Sequence, residues 1–141
     1  MAGKDISDIY CWDIESGDLK IYLASSGRGA LRVGISLDKA GDCVTYFRVI
    51  YPSANIVRDK ARNRLLTKAV GAALNNEPDR NDLSLDIEGT PFQKKVWKSL
   101  KRIPFGQTRT YGEVASMVGN AESARAVGQA LGRNPLPLVF P

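Results

Sequence analysis

The chain has 141 residues, 43% of them apolar and 25% charged, with a formal net charge of +5. That balance suits a folded, water-soluble protein of one domain or two small ones with a real core. No apolar run approaches the ~20 residues of a membrane span, the mixed-charge stretch 1–8 does not read as a signal peptide, and two cysteines (Cys11, Cys43) without any histidine argue against a zinc site or a disulfide scaffold.

The charge is uneven along the chain. Residues 1–88 carry 12 Lys/Arg against 13 Asp/Glu, a net of −1, whereas residues 89–141 carry 8 against 2, a net of +6. A basic excess in one segment points to a polyanion partner for that segment, with a solvated basic surface as the plain alternative.

The first half reads as strands followed by a helix. Residues 6–13, 19–25 and 31–37 are short runs rich in Ile, Val, Tyr and Leu. Glycine turns at Ser16-Gly17-Asp18 and Ser26-Gly27-Arg28-Gly29 separate them, the punctuation of a meander. The run 44–51 is a further strand candidate closed by Pro52. From 56 to 74 the period changes to helical: Leu66, Val70, Ala73 and Leu74 share a face, with Arg58, Arg62, Arg64 and Lys68 largely off it. The polar stretch 75–82 approaches a domain boundary, and 83–87 is a last strand candidate.

The second half reads as short helices with legible caps. Thr90-Pro91-Phe92-Gln93 places Thr at the N-cap, Pro at the first helical position and Gln at N3, a capping box. Phe92, Val96, Trp97 and Leu100 then form one apolar face, with Lys94, Lys95, Lys98 and Lys101 around the rest. Pro104 stops the helix, and Phe105-Gly106-Gln107 turns the chain. Thr110-Tyr111-Gly112-Glu113 is a second capping box, leading to Val114, Met117 and Val118 and ending at Gly119. Asn120 is expected to cap a third helix, with Glu122 in its first turn, closed by Gly132. Two helices joined by a tight Gly-Asn turn form a helix-turn-helix pattern, although many helical hairpins bind nothing.

In the third helix Ala124, Val127, Gly128 and Leu131 are expected to face the core. Arg125 lies about 100° round from Ala124. Small residues (Ala121, Ser123, Ala124, Ala126, Gly128, Ala130) let the backbone approach another surface, from which one long cation projects. The plain alternative packs this helix on its neighbour and pairs Arg125 with Glu122. The chain's end, 136–140, is apolar and proline-punctuated, unlike a free polar tail, and is expected to be the edge of a fragment or an edge covered by something other than this chain.

Four motifs in order carry a resemblance: Gly89-Thr90-Pro91-Phe92-Gln93 with Val96-Trp97; Ile103-Pro104-Phe105-Gly106 with Thr108 and Tyr111-Gly112-Glu113-Val114-Ala115; Ala124-Arg125-Ala126-Val127-Gly128; and Asn134-Pro135-Leu136-Pro137. Together they resemble the C-terminal domain of the O6-alkylguanine-DNA alkyltransferases, densely over 89–141 and loosely over 1–88. The resemblance implies an α/β protein. Its N-terminal RNase H-like α/β domain would span 1–88, and a helical, winged-helix-like domain with the helix-turn-helix would span 89–141.

It further implies direct-reversal DNA repair without a cofactor. The partner is double-stranded DNA containing O6-alkylguanine, entered from the minor groove by a monomer, in the cytoplasm and associated with nucleoid or nucleus, with no membrane role. The damaged guanine is flipped out, and a cysteine accepts its alkyl group in a single turnover. Arg125 matches the arginine finger that fills the vacated stack. Tyr111 matches the tyrosine that pushes the target phosphate and lines the pocket. Ser123, Ala124, Gly128 and Gln129 complete the DNA-facing set. Asn134 matches the hinge asparagine, and Pro137 with Val139 matches pocket wall.

The departures are as informative. In the family this segment continues into Pro-Cys-His-Arg, and Pro141 matches its proline, so the nucleophile is expected after Pro141 and residues 1–141 contain no catalytic residue. A thiolate needs a base or relay to lower its pKa, and neither part is present. Cys11 and Cys43 read as ordinary packing or surface residues. The alternative function is a non-enzymatic alkyltransferase-like protein, with tryptophan in place of the cysteine, that binds alkylated DNA and recruits other repair. A third, a sequence-specific regulator using the helix-turn-helix alone, would show no preference for damaged guanine.

Overall fold

The computed structural model describes residues 7–79, 81–104, 106–120 and 122–140. Ile6, Phe105, Ala121 and Pro141, which figure in the expectations above, lie outside them. The chain divides into two compact units, Met1–Ile87 and Glu88–Pro141, and together they make a mixed α/β protein.

In the first unit β1 (Asp8–Ser16), β2 (Leu19–Ser26) and β3 (Gly29–Ser36) form an antiparallel meander, and β4 (Asn55–Arg58) adds parallel to β1, giving the order β3-β2-β1-β4. The first hairpin closes with Ser16 opposite Leu19, so its loop is Gly17-Asp18, and Gly17 takes φ +57°. A positive φ at the first loop position suits a primed turn, whose twist matches the strands. Period-2 alternation then sends Ile9 and Cys11 of β1, Tyr22 and Ala24 of β2, and Leu31 of β3 into one core cluster with Cys43 and Phe47. Burying a side chain the size of Phe47 contributes roughly 2 kcal/mol.

Three expectations for this unit are corrected. The run 44–51 is not a strand but helix α1 (Cys43–Ile50), capped by Asp42, whose Oδ1 accepts from Thr45 N at 3.0 Å. Cys43 and Phe47, four residues apart, are both fully buried, and that burial overrides the β propensity of the sequence between them. The helix expected over 56–74 starts late: β4 comes first, then one 3₁₀ turn at Ala61–Asn63, then α2 (Arg64–Leu74). Ile56 and Val57 pair with Ile9 and Tyr10. Buried Asn63 fixes the turn, donating through Nδ2 to Tyr10 O (3.1 Å) and Asp59 O (2.9 Å) and accepting from Ser25 Oγ (2.8 Å). Within α2, Leu66 and Val70 are buried as expected, whereas Ala73 and Leu74 are half-buried. Finally, 83–87 forms only an isolated bridge between Leu85 and Ala30. Beyond it the Asp86 carboxylate turns to the Ser26 hydroxyl.

In the second unit α3 (Pro91–Leu100), α4 (Tyr111–Met117) and α5 (Ala124–Gly132) pack on one another. Both capping boxes form: Thr90 Oγ1 accepts from Gln93 N and Thr110 Oγ1 from Glu113 N, each at 3.1 Å, while the Gln93 and Glu113 side chains reach back to Thr90 N and Thr110 N at 3.0 Å. Two fixed helix starts aim the apolar faces inward, burying Val96, Trp97, Leu100, Val114, Ala115, Val127 and Ala130. The buried indole of Trp97 donates to Ala130 O at 2.7 Å, tying α3 to α5.

The start of the third helix is also corrected. Asn120 does not cap it; Asn120 N donates to Ala115 O at 2.9 Å and closes α4 instead. Helix α5 begins at Ala124 with Ser123 at the N-cap and no side-chain cap bond, so Glu122 lies before the helix. Once Gly119 (φ +84°) has turned the chain, Asn120 is committed to that turn. On the core side Val127 is buried, Ala124, Gly128 and Leu131 are half-buried, and Ala130 rather than Leu131 completes the contact.

Candidate nucleic-acid interface

Helices α4 and α5 pack on one another as successive helices, and the capping box of α4 sets where its first residue projects. That residue is Tyr111, 56% exposed. Its ring lies against α5 at Gly128, where an added Cβ would come 3.1 Å from Cε2 and 3.3 Å from Cδ2. A side chain here would press the ring back by a few tenths of an ångström, which gives the mid-helix glycine a packing reason.

Arg125 and Gln129, one turn apart, are both exposed on α5. Among the described residues no hydrogen bond or ion pair engages the Arg125 guanidinium, and the pairing with Glu122 does not form. Ser123 and Ala124 are half-buried at the helix start. Tyr111, Gly128 and the outer face of α5 therefore come together as one surface, with Arg125 free to leave it.

Two acids, Glu113 and Glu122, stand against eight Lys/Arg in residues 89–141. Glu113 is drawn into its capping box, and the hydrogen bonds from the Thr110 backbone and hydroxyl hold its carboxyl below the usual carboxylate range. Lys95, Lys98 and Lys101 of α3 are exposed, and Lys94 is half-buried. Arg102 and Arg109 are partly spent on the chain itself, donating to Met117 O (3.1 Å) and to Gln107 Oε1 (2.9 Å) and Thr108 O (2.8 Å).

Beyond α5 the chain folds back on Asn134. Its Oδ1 accepts from Leu136 N at 2.9 Å and its Nδ2 donates to Phe140 O at 2.8 Å. Leu136 O in turn accepts from Val139 N (3.1 Å) and Phe140 N (2.9 Å), and Leu138 takes φ +75° inside the loop. Leu136 and Phe140 are buried at 0% and 1% exposure, Val139 is buried, and Pro137, half-buried, is bridged to Phe140. The apolar run 136–140 is thus buried or half-buried throughout. Motif reading names Asn134 but neither of its two bonds, nor the Trp97 tie to α5, because these depend on approaches between separate segments.

Neither cysteine belongs to this surface. Cys11 and Cys43 are fully buried in the first unit, and contact with Cys11 together with burial pushes the Cys43 thiol well above its ordinary range. Among the described residues no three His, Cys, Asp or Glu side chains gather to hold a metal ion, and no helix is long and apolar enough to cross a membrane.

Comparison with known proteins places this surface in context. The DNA-binding domain of 6-O-methylguanine DNA methyltransferases matches residues 91–141. A methylated-DNA–protein-cysteine methyltransferase of Methanosarcina acetivorans is 55% identical over 60 residues, covering 43% of this chain and 38% of that protein. One of Mycolicibacterium paratuberculosis is 46% identical over 72 residues, covering 51% and 44%. The chain therefore matches less than half the length of these curated relatives. Among solved structures, Mycobacterium tuberculosis OGT in complex with DNA superposes with a TM-score of 0.70 at 30% identity, covering 95% of this chain and 74% of that one. An O6-methylguanine methyltransferase of the same organism gives 0.73 at 29%, covering 94% and 75%.

Proposed function

The chain belongs to the methylated-DNA–protein-cysteine methyltransferase family, and from that premise we propose that it acts in direct reversal of alkylation damage in DNA. Its substrate is a duplex carrying O6-alkylguanine, entered from the minor groove by α5. The observation that carries this reading is the surface itself: Tyr111 seated on Gly128 beside an Arg125 that no described residue engages.

The steps follow from the chemistry of these groups. An alkyl group on O6 cannot be reached inside the stack, so the nucleotide must be extruded at a cost of a few kcal/mol. A guanidinium is planar and rich in donors, so Arg125 replaces the stacking and hydrogen bonds of the departed base. Tyr111, fixed at its Cα by the α4 cap, pushes the target phosphate and lines the pocket. Ser123, Ala124 and Gln129 meet the backbone, and the small residues of α5 suit a groove only ~6 Å wide. Pro137 and Val139 form pocket wall. Asn134 is the hinge that holds the loop ending at Phe140.

In this reading the acceptor is a cysteine encoded after Pro141. Its thiolate attacks the alkyl carbon, the bond to O6 breaks, and the electron pair left on guanine takes up a proton. The first unit, with order β3-β2-β1-β4, is read as RNase H-like and the second as winged-helix-like. The protein works as a monomer, cytoplasmic and associated with the nucleoid or nucleus.

The test is labelling of the full-length protein with O6-benzylguanine. One benzyl group per molecule, on the residue after Pro141, supports alkyl transfer. Tryptophan at that position, with binding to alkylated DNA but no adduct, would assign the protein to the non-enzymatic sensors instead.

A further inference from the structure

We infer that the first unit carries a second DNA-contacting surface, a basic strip along its β4 edge that binds backbone phosphates. The inference rests on the reading of DNA as the partner and extends it to the half of the chain whose net charge is slightly negative.

That net charge conceals a local excess. Residues 58–68 hold five Lys/Arg against one acid, Asp59, whereas the other 77 residues of 1–88 hold 7 against 12. The structure gathers the beginning of this run onto two rings of β1. Arg58 Cζ lies 4.5 Å from the centroid of Trp12, Lys60 Nζ 5.9 Å from the same ring, and Arg62 Cζ 4.2 Å from that of Tyr10. Arg58 ends β4, an outer strand of the sheet, and it, Lys60 and Arg62 are all exposed. Attraction to the ring faces holds each charge in place, so a phosphate meets an ordered row rather than loose side chains.

The three cations differ in what they can still do. Arg58 is internally committed, donating to Asp13 Oδ2 at 2.8 Å and to Cys43 Sγ at 3.5 Å, so it frames the strip. Lys60 is exposed. The Arg62 side chain is 53% exposed, and its ion pair with Asp59 runs from Nε at 3.7 Å, a long contact that solvent screens. Tyr10 and Trp12 are half-buried beneath these cations, so bases cannot stack on them and the contact is to phosphate. Edge cations also deter strand-to-strand pairing, a role that involves no DNA and leaves no trace in a salt titration.

The experiment is a salt series of binding to a short undamaged duplex by the 141-residue chain and its K60A/R62A variant, with K60Q/R62Q as a milder pair and thermal unfolding to confirm folding. Each lost phosphate contact flattens the slope of log affinity on log salt by about 0.9, so the pair is expected to flatten it by about 1.8. The control, R28A/K39A, removes two exposed cations from the far side of the sheet, at and beyond β3, and is expected to leave the slope unchanged. An unchanged slope for K60A/R62A overturns the strip and leaves the helix-turn-helix reading standing. Equal flattening by both pairs also overturns it, by reducing the effect to net charge. A chain without duplex affinity overturns both readings.

Discussion

Asn134 grips Phe140 across six residues: its Nδ2 donates to the Phe140 carbonyl at 2.8 Å while its Oδ1 accepts from Leu136 N at 2.9 Å. One side chain thereby closes both ends of the loop that leads to Pro141. Each bond contributes on the order of 1 kcal/mol, and an orphaned partner costs more than the bond itself. Asn134→Ala is therefore expected to lower stability by about 2–3 kcal/mol, read as a drop in the urea midpoint. Asn134→Asp keeps the acceptor but loses the donor to Phe140 O, so it should fall between the two.

Gly128→Ala separates stability from function. Replacing a helical glycine by alanine gains up to about 1 kcal/mol of helix propensity. Here the new methyl would sit 3.1 Å from the Tyr111 ring. That ring is 56% exposed and can swing away. Thermal stability is expected to hold or rise slightly, while affinity for a duplex carrying O6-methylguanine falls with the displaced tyrosine. Unchanged affinity would show that Tyr111 needs no fixed seat.

Trp97→Phe removes the indole N–H that reaches Ala130 O at 2.7 Å and leaves space between α3 and α5. The lost bond and the void together predict about 1–3 kcal/mol of destabilisation. Amide exchange should quicken in α5, whose position depends on that tie.

Asp13 makes the first unit sensitive to acid. Burial pushes its carboxyl upward, but bonds from Arg58 and from Cys43 N outweigh this and hold it below its ordinary value of 3.8. A carboxyl lowered in the folded state contributes stability that is fully present above the ordinary value and lost as pH falls through the lowered one. Asp13→Asn is expected to cost about 1–2 kcal/mol near pH 7, toward the low end because the Arg58 side chain is 42% exposed and screened. The gap between wild type and variant, followed by unfolding at a series of pH values, should close below the ordinary carboxylate range.

How much of this could be read from the residues depended on range. Thr90 with Gln93 and Thr110 with Glu113 are local codes, and both helices start where those codes put them. The β1–β2 hairpin is equally local, set by Gly17. The run 44–51 misled because its β-branched residues favour a strand, whereas Cys43 and Phe47 are committed to the core as a helix. The start of the 56–74 segment misled for the converse reason: Ile56 and Val57 find strand partners on β1, some 47 residues away in the chain. In the second unit, family motifs singled out Tyr111, Arg125 and Asn134 as residues. The seat of Tyr111 on Gly128 and the grip of Asn134 on Phe140 are contacts between segments and became visible only in the fold.

A pair of affinities separates an Arg125 that serves the extruded base from one that serves the backbone. The 141-residue chain and its R125A variant are titrated against one duplex containing O6-methylguanine and against the same duplex undamaged. R125A is expected to weaken binding to the damaged duplex more than to the undamaged one, so that discrimination between them falls. An equal loss on both duplexes would make Arg125 a phosphate clamp and overturn its role at the extruded base.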